Sequence, residues 1–203
     1  MSEGRRIIWL ILIMMAAVTV SSAVAITVLY RTAFEQERLH LIQNVDDQAH
    51  LMEAVAWVDQ PHHPGAGKAL RADVLAQIER AFEQYPSDDQ IAEITVAIRD
   101  GDALRYLVTH GRVLGNEIPP IPLGSPLAEP MQRALAGHSG AMIGRDYRGV
   151  TVLAAYQPVP ALAAGVVAKM DLAAIRAPFI RGAAMVIGLA LVLIIIGAAL
   201  LVR

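Results

Sequence analysis

The chain has 203 residues, of which 17 are Lys or Arg and 19 are Asp or Glu, with no cysteine and 55% hydrophobic content. A balance this close to neutral lacks the basic footprint that a nucleic-acid partner requires. The absence of cysteine excludes disulfides and thiol chemistry.

The apolar residues gather at the two ends. Ile7 to Leu29 carries no charge, and at ~1.5 Å per residue it reaches about 35 Å as a helix, enough to cross a bilayer core. Ala23-Val24-Ala25 resembles a signal-peptide cleavage site, but the apolar run continues past it, which favours a signal anchor. Ala183 to Val202 is a second uncharged run. Arg5 and Arg6, just before the first run, predict a cytoplasmic N-terminus. The expected layout is a cytoplasmic tail over 1–6, a membrane helix over 7–30, an extracytoplasmic domain over 31–177 and a second membrane helix over 178–203. That is the plan of a two-pass protein of a bacterial inner membrane with its central domain in the periplasm. Ala17, Ser21 and Ala25, and likewise Ala184 and Gly188, are small residues at four-residue spacing. Such spacing lets membrane helices approach closely. It predicts packing in the bilayer against a second copy, as a homodimer, or against other membrane subunits.

Between the ends, Ala33 to Val58 contains no Gly or Pro, and Leu39, Ile42, Val45, Ala49, Met52 and Ala56 recur at helical spacing. The first membrane helix is therefore expected to continue outward. Pro61 to Gly67, PHHPGAG, reads as a loop. Its adjacent His62 and His63 are poorly placed to converge on one ion, so no metal site is expected. Lys68 to Gln84 has the stripe Leu70, Val74, Leu75, Ile78 and Phe82 of a second helix.

The period then changes. Ile94, Val96 and Ile98 alternate with polar neighbours, Arg99 to Asp102 forms a turn, and Leu104 to His110 makes a second strand. A Pro- and Gly-rich connector follows. A short helix ends near Ala136 with Gly137 as its stop, and begins either at a Ser125 cap or at Pro130. Ala141 to Tyr147, Val150 to Val159 and Gly165 to Asp171 complete five strands, with a turn at Arg148-Gly149. The predicted class is α+β, a long N-terminal helix packed on a five-stranded antiparallel sheet. The last strand feeds the second membrane helix through a short junction, Asp171 to Pro178, the expected point of signal coupling.

Four stretches resemble a known family: LIQNVDDQAHLMEAVAWVD from Leu41, LAEPMQRALAGHSG from Leu127, DYRGVTVLAAYQPVP from Asp146 and GVVAKMDLAAIRAPF from Gly165. In wording and order they are similar to Cache-type sensor domains, PAS-like modules held outside the bacterial inner membrane between two spans. The resemblance implies a PAS-like sheet, a small ligand bound on the sheet face, and membrane helices that pass the signal to a cytoplasmic output module. One departure lies at the junction. Family members often read D-L-x-E there, a helix capping box, whereas Ala174 stands here at the Glu position. No output module is recognisable within this chain.

The strand residues suited to a small organic ligand, a carboxylate or an amino acid, are Arg105, Tyr106, Tyr147, Tyr156 and Lys169. Arg and Lys would pair with the anion, and Tyr would supply walls and hydroxyl donors. No phosphate loop, G-x-S-x-G or H-E-x-x-H motif occurs, so neither catalysis nor a cofactor is expected. Two functions follow from the sequence: the ligand-sensing region of a membrane receptor, or a non-catalytic accessory subunit of a larger membrane complex.

Overall fold

The computed structural model describes residues 3–59, 92–109, 112–113 and 118–202. The expected Pro61–Gly67 loop and Lys68–Gln84 helix lie outside the described residues. The chain divides into two compact units, Met1–Glu35 with Ala174–Arg203, and Gln36–Ala173.

The first unit holds the apolar parts of two helices. Helix α1 runs unbroken over Glu3–Asp59, as its run without Gly or Pro predicts. The last helix, over Leu172–Val202, contains Pro178. Both are long and apolar enough to cross a membrane. Thr19 and Thr27 donate their hydroxyls to the carbonyls of Met15 and Ala23, each at 2.8 Å. Such back-bonding satisfies a hydroxyl that finds no water in hydrocarbon. The Tyr30 ring meets Phe179 edge-on at 5.3 Å, and Arg176 Nε donates to the Tyr30 hydroxyl at 3.4 Å. Ala17, Ser21, Ala25, Ala184 and Gly188 are all exposed in the single chain, and a Cβ added at Gly188 would meet nothing within 4 Å.

Among the described residues of the second unit, seven strands form one antiparallel sheet. They are β1 (Glu93–Asp100), β2 (Ala103–Thr109), β3 (Arg112–Val113), β4 (Ile121–Pro122), β5 (Gly140–Arg145), β6 (Thr151–Val159) and β7 (Ala164–Asp171). Six follow one path in the order β3-β2-β1-β7-β6-β5, and β4 pairs with β2 beside it. The expected five strands are all present. The prediction missed the two-residue strands β3 and β4, because runs so short carry no alternation to detect. Gly101, at φ 61°, supplies the left-handed residue that the β1–β2 turn needs.

Helix α2 spans Glu129–Leu135, with Pro130 in its first turn. Of the two expected starts, the one at Pro130 is the nearer; Ser125 accepts a bond from the Leu127 amide and does not cap the helix. Gln132 fastens the preceding loop instead, donating to the carbonyls of Ser125 and Leu127 and accepting from the Gly124 amide. One sheet face, with Ala97, Leu104, Tyr106, Val152, Ala154, Tyr156 and Val167, forms a core with Ala128, Met131 and Ala134 of the α2 segment. The other face receives the part of α1 that follows Glu35, as the hydrogen bond from Gln157 of β6 to Asp46 shows. There Leu41, Val45, Ala49, Met52 and Ala56 are buried. Leu39, expected in that stripe, is 59% exposed, and Leu41 takes its place. The spacing of Leu41, Val45, Ala49, Met52 and Ala56 follows the helical face more closely.

Closeness of α2 to the sheet depends on Gly165. A Cβ there would stand 2.9 Å from Ala134 Cβ and 3.0 Å from Met131 Sδ. The Met131 side chain can turn aside, but the Ala134 Cβ cannot yield without moving the helix. Gly165→Val is expected to destabilise the sheet unit by roughly 1–3 kcal/mol, read as a lower melting temperature of the full chain, whereas Gly182→Ala, with open space around it, should leave it unchanged.

Candidate functional site

A cluster of charged and aromatic side chains lies on the α2 side of the sheet, and strand register builds it. Glu93 of β1 faces Lys169 of β7 directly, and Lys169 faces Ala154 of β6 on its other flank. Alternation puts Thr95 and Ala97, and also Val167, on the same side as this charged pair. An ammonium is thereby carried into an apolar layer, and Lys169 is 3% exposed. Burial of that kind is tolerated only when the charge is paired.

Asp146 provides the pairing. Its Oδ2 accepts from Lys169 Nζ at 2.7 Å and from Arg148 Nε at 2.7 Å. Its Oδ1 accepts from the backbone amides of Arg148 at 2.8 Å and Val150 at 3.0 Å. The carboxylate therefore closes the β5–β6 turn and reaches across to β7 at once. The turn is further held by Asp146 N to Val150 O at 3.0 Å and Gly149 N to Asp146 O at 3.1 Å, with Gly149 at φ 79°. The Ala128 amide donates to the Asp146 carbonyl at 3.2 Å, which joins the start of α2 to the same residue.

Around this centre, Lys169 Nζ also lies 3.2 Å from Glu93 Oε2. Arg148 Nη2 is 2.9 Å from Asp171 Oδ1 and 3.7 Å from Glu93 Oε2. Tyr147 donates its hydroxyl to Glu93 at 3.3 Å and lays its ring 4.3 Å from Lys169 Nζ, a cation–π distance. The Tyr106 ring lies 5.1 Å from that of Tyr147.

The electrostatics follow from burial and partners. Burial alone would raise the Asp146 carboxyl, but hydrogen bonds from Lys169 and Arg148 outweigh it and hold the group below the usual carboxylate range. Burial also opposes the Arg148 charge, and the Asp146, Glu93 and Asp171 carboxylates more than restore it. The Tyr106 phenol is pushed far up by burial, with the nearby Asp146 charge adding to it, so it stays a neutral hydroxyl.

Of the five residues proposed from sequence, three meet: Tyr106, Tyr147 and Lys169. Tyr156 shares their sheet face, and its hydroxyl lies 3.4 Å from the place of a Cβ at Gly140. Arg105 does not join them. It immediately precedes Tyr106 with opposite orientation, pairs with Ile98, and stands 3.5 Å from Asp100, partly exposed. Sequence reasoning passed over Glu93 and Asp146. The D-x-x-G turn from Asp146 to Gly149 was a usable signal for the second. Asp171 is the last residue of β7, held by Arg148, and the next residue begins the final helix, α3 (Leu172–Val202).

No protein-family model, curated protein or solved structure matches the chain.

Removing Asp146 takes one carboxylate from both the buried Lys169 and Arg148 and frees the amides of its turn, so Asp146→Ala is expected to cost about 3–5 kcal/mol in chemical denaturation. The folded Asp146 carboxyl titrates below its unfolded value, so the stability it adds is complete above about pH 4 and is lost as pH falls through the lower folded value. Melting temperatures measured from about pH 7 to 3 should hold steady and then fall. Asp146→Asn should flatten part of that fall.

Proposed function

We propose that this chain is the ligand-sensing region of a two-span bacterial membrane receptor, with its sheet unit in the periplasm as a Cache-like, PAS-like domain. The observation that carries the reading is the position of the polar cluster. It lies on one sheet face with Asp146, Tyr106 and Lys169 buried, includes Tyr147, and ends at the partly exposed Asp171, where β7 passes into α3 with no intervening residue. A small carboxylate or an amino acid engaging Lys169, with tyrosine hydroxyls and rings around it, would act on the strand that leads into a helix apolar enough to span a membrane.

A second reading, a non-catalytic accessory subunit of a membrane complex, draws on one feature of the same cluster. Lys169 and Arg148 already bind carboxylates of the protein itself. A cluster satisfied in this way can serve as a structural brace.

Thermal-shift screening of the full chain in lipid nanodiscs with small carboxylates and amino acids separates the two. Sensing predicts a ligand that raises the melting temperature by several degrees, since a hundredfold excess over Kd adds about 2.7 kcal/mol. No stabilising ligand across a broad panel, together with a stoichiometric companion on native purification, would replace the sensor with the subunit.

A further inference from the structure

The distances in the cluster point to a relay as well as a brace. Glu93 Oε2 stands between two cations, 3.2 Å from Lys169 Nζ and 3.7 Å from Arg148 Nη2. The same Nη2 holds Asp171 Oδ1 at 2.9 Å. Arg148 is fixed at its Nε by the buried Asp146, so its guanidinium can pivot about that bond while its outer end chooses between Glu93 and Asp171. The present arrangement leaves Glu93 closer to Lys169 and Asp171 closer to Arg148.

We propose that Arg148 is the positioning residue that transmits the state of this site, exchanging Asp171 for Glu93 when Lys169 is engaged by an anion. This rests on the sensing reading above and names its internal step. A carboxylate that pairs with Lys169 competes with Glu93 for the ammonium. Glu93 then closes the 3.7 Å gap to Arg148, and the guanidinium turns toward β1. Asp171 loses the partner that pins the end of β7, at the residue directly before α3. No bond is made or broken covalently; one set of ion pairs replaces another. The two arrangements differ only in which carboxylate Arg148 holds, so a modest differential affinity is enough to bias them.

Neutralising Lys169 should imitate the ligand. Hydrogen–deuterium exchange of peptides covering Asp171 to Pro178, measured on the full chain in nanodiscs, reads the outcome. Lys169→Met is expected to speed exchange there roughly threefold or more. Adding Glu93→Gln to that variant, which removes the competing charge, should return exchange close to the wild-type rate. Equal acceleration with and without Glu93→Gln, or no acceleration, overturns the relay. If Lys169→Met does not fold, Glu93→Gln alone decides: Asp171 then holds Arg148 unopposed, and exchange over 171–178 should slow, while an unchanged or faster rate overturns the proposal. A compound that raises the melting temperature yet leaves exchange over 171–178 unaltered would end the relay and leave the sensing reading standing. Variants that behave as stated, with no ligand in the screen and a stoichiometric companion on native purification, would uphold the exchange of Arg148 between the two carboxylates but overturn its role as a response to a ligand.

Discussion

An aspartate taken out of water and surrounded by donors organises the sheet unit. Asp146 has both carboxylate oxygens occupied, one by two backbone amides of its own turn and the other by Lys169 and Arg148. A desolvated carboxylate is costly unless every lone-pair direction finds a partner. The β5–β6 turn and strand β7 must therefore come together for the charge to be satisfied, and the segment leading into α2 joins them through the backbone carbonyl of Asp146. Hydrophobic burial beneath α2 supplies the drive to fold. The ionic lattice, being directional, specifies which turn meets which strand.

The same lattice gives the last strand two neighbours of different character. On its flanks β7 is bonded along its length to β1 and β6. At its end only the pairing with β6 continues, Val152 standing opposite Asp171, and the Asp171 side chain is held by a single, partly exposed guanidinium. A central strand held firmly by its neighbours and lightly at its exit suits an element that must remain folded while its end changes partner. Gly165, at the opposite end of β7, is fixed by direct contact with α2. Movement is thus cheaper at Asp171 than at Gly165.

Much of the fold was legible because its signals are local. Ile94, Val96 and Ile98 alternate, the Arg99–Asp102 turn carries its glycine, and Ala33 to Val58 lacks Gly and Pro; each states its own secondary structure. The site was legible only in part. Tyr106, Tyr147 and Lys169 were named for their chemistry, yet nothing in the sequence says that β1 lies against β7. That pairing, across more than seventy residues, sets Glu93 opposite Lys169. Arg105 looked equal to Tyr106 until alternation assigned the two to opposite faces around the bulge in β1–β2 pairing. Asp146 was read only as part of the words surrounding a turn, because its function depends on a lysine brought from another strand.

The account rests on Asp146 and Lys169 acting as one unit, and a double-mutant cycle measures that directly. Asp146→Asn, Lys169→Met and the double variant would be compared by equilibrium denaturation of the full chain. Each single variant takes the 2.7 Å partner from a buried charge, leaving Lys169 to Glu93 or Asp146 to Arg148 and its turn amides, so the double variant should be no less stable than the worse single one, with a coupling energy of about 3 kcal/mol. Additive losses, with coupling near zero, would contradict the account and reduce the pair to two unrelated contacts.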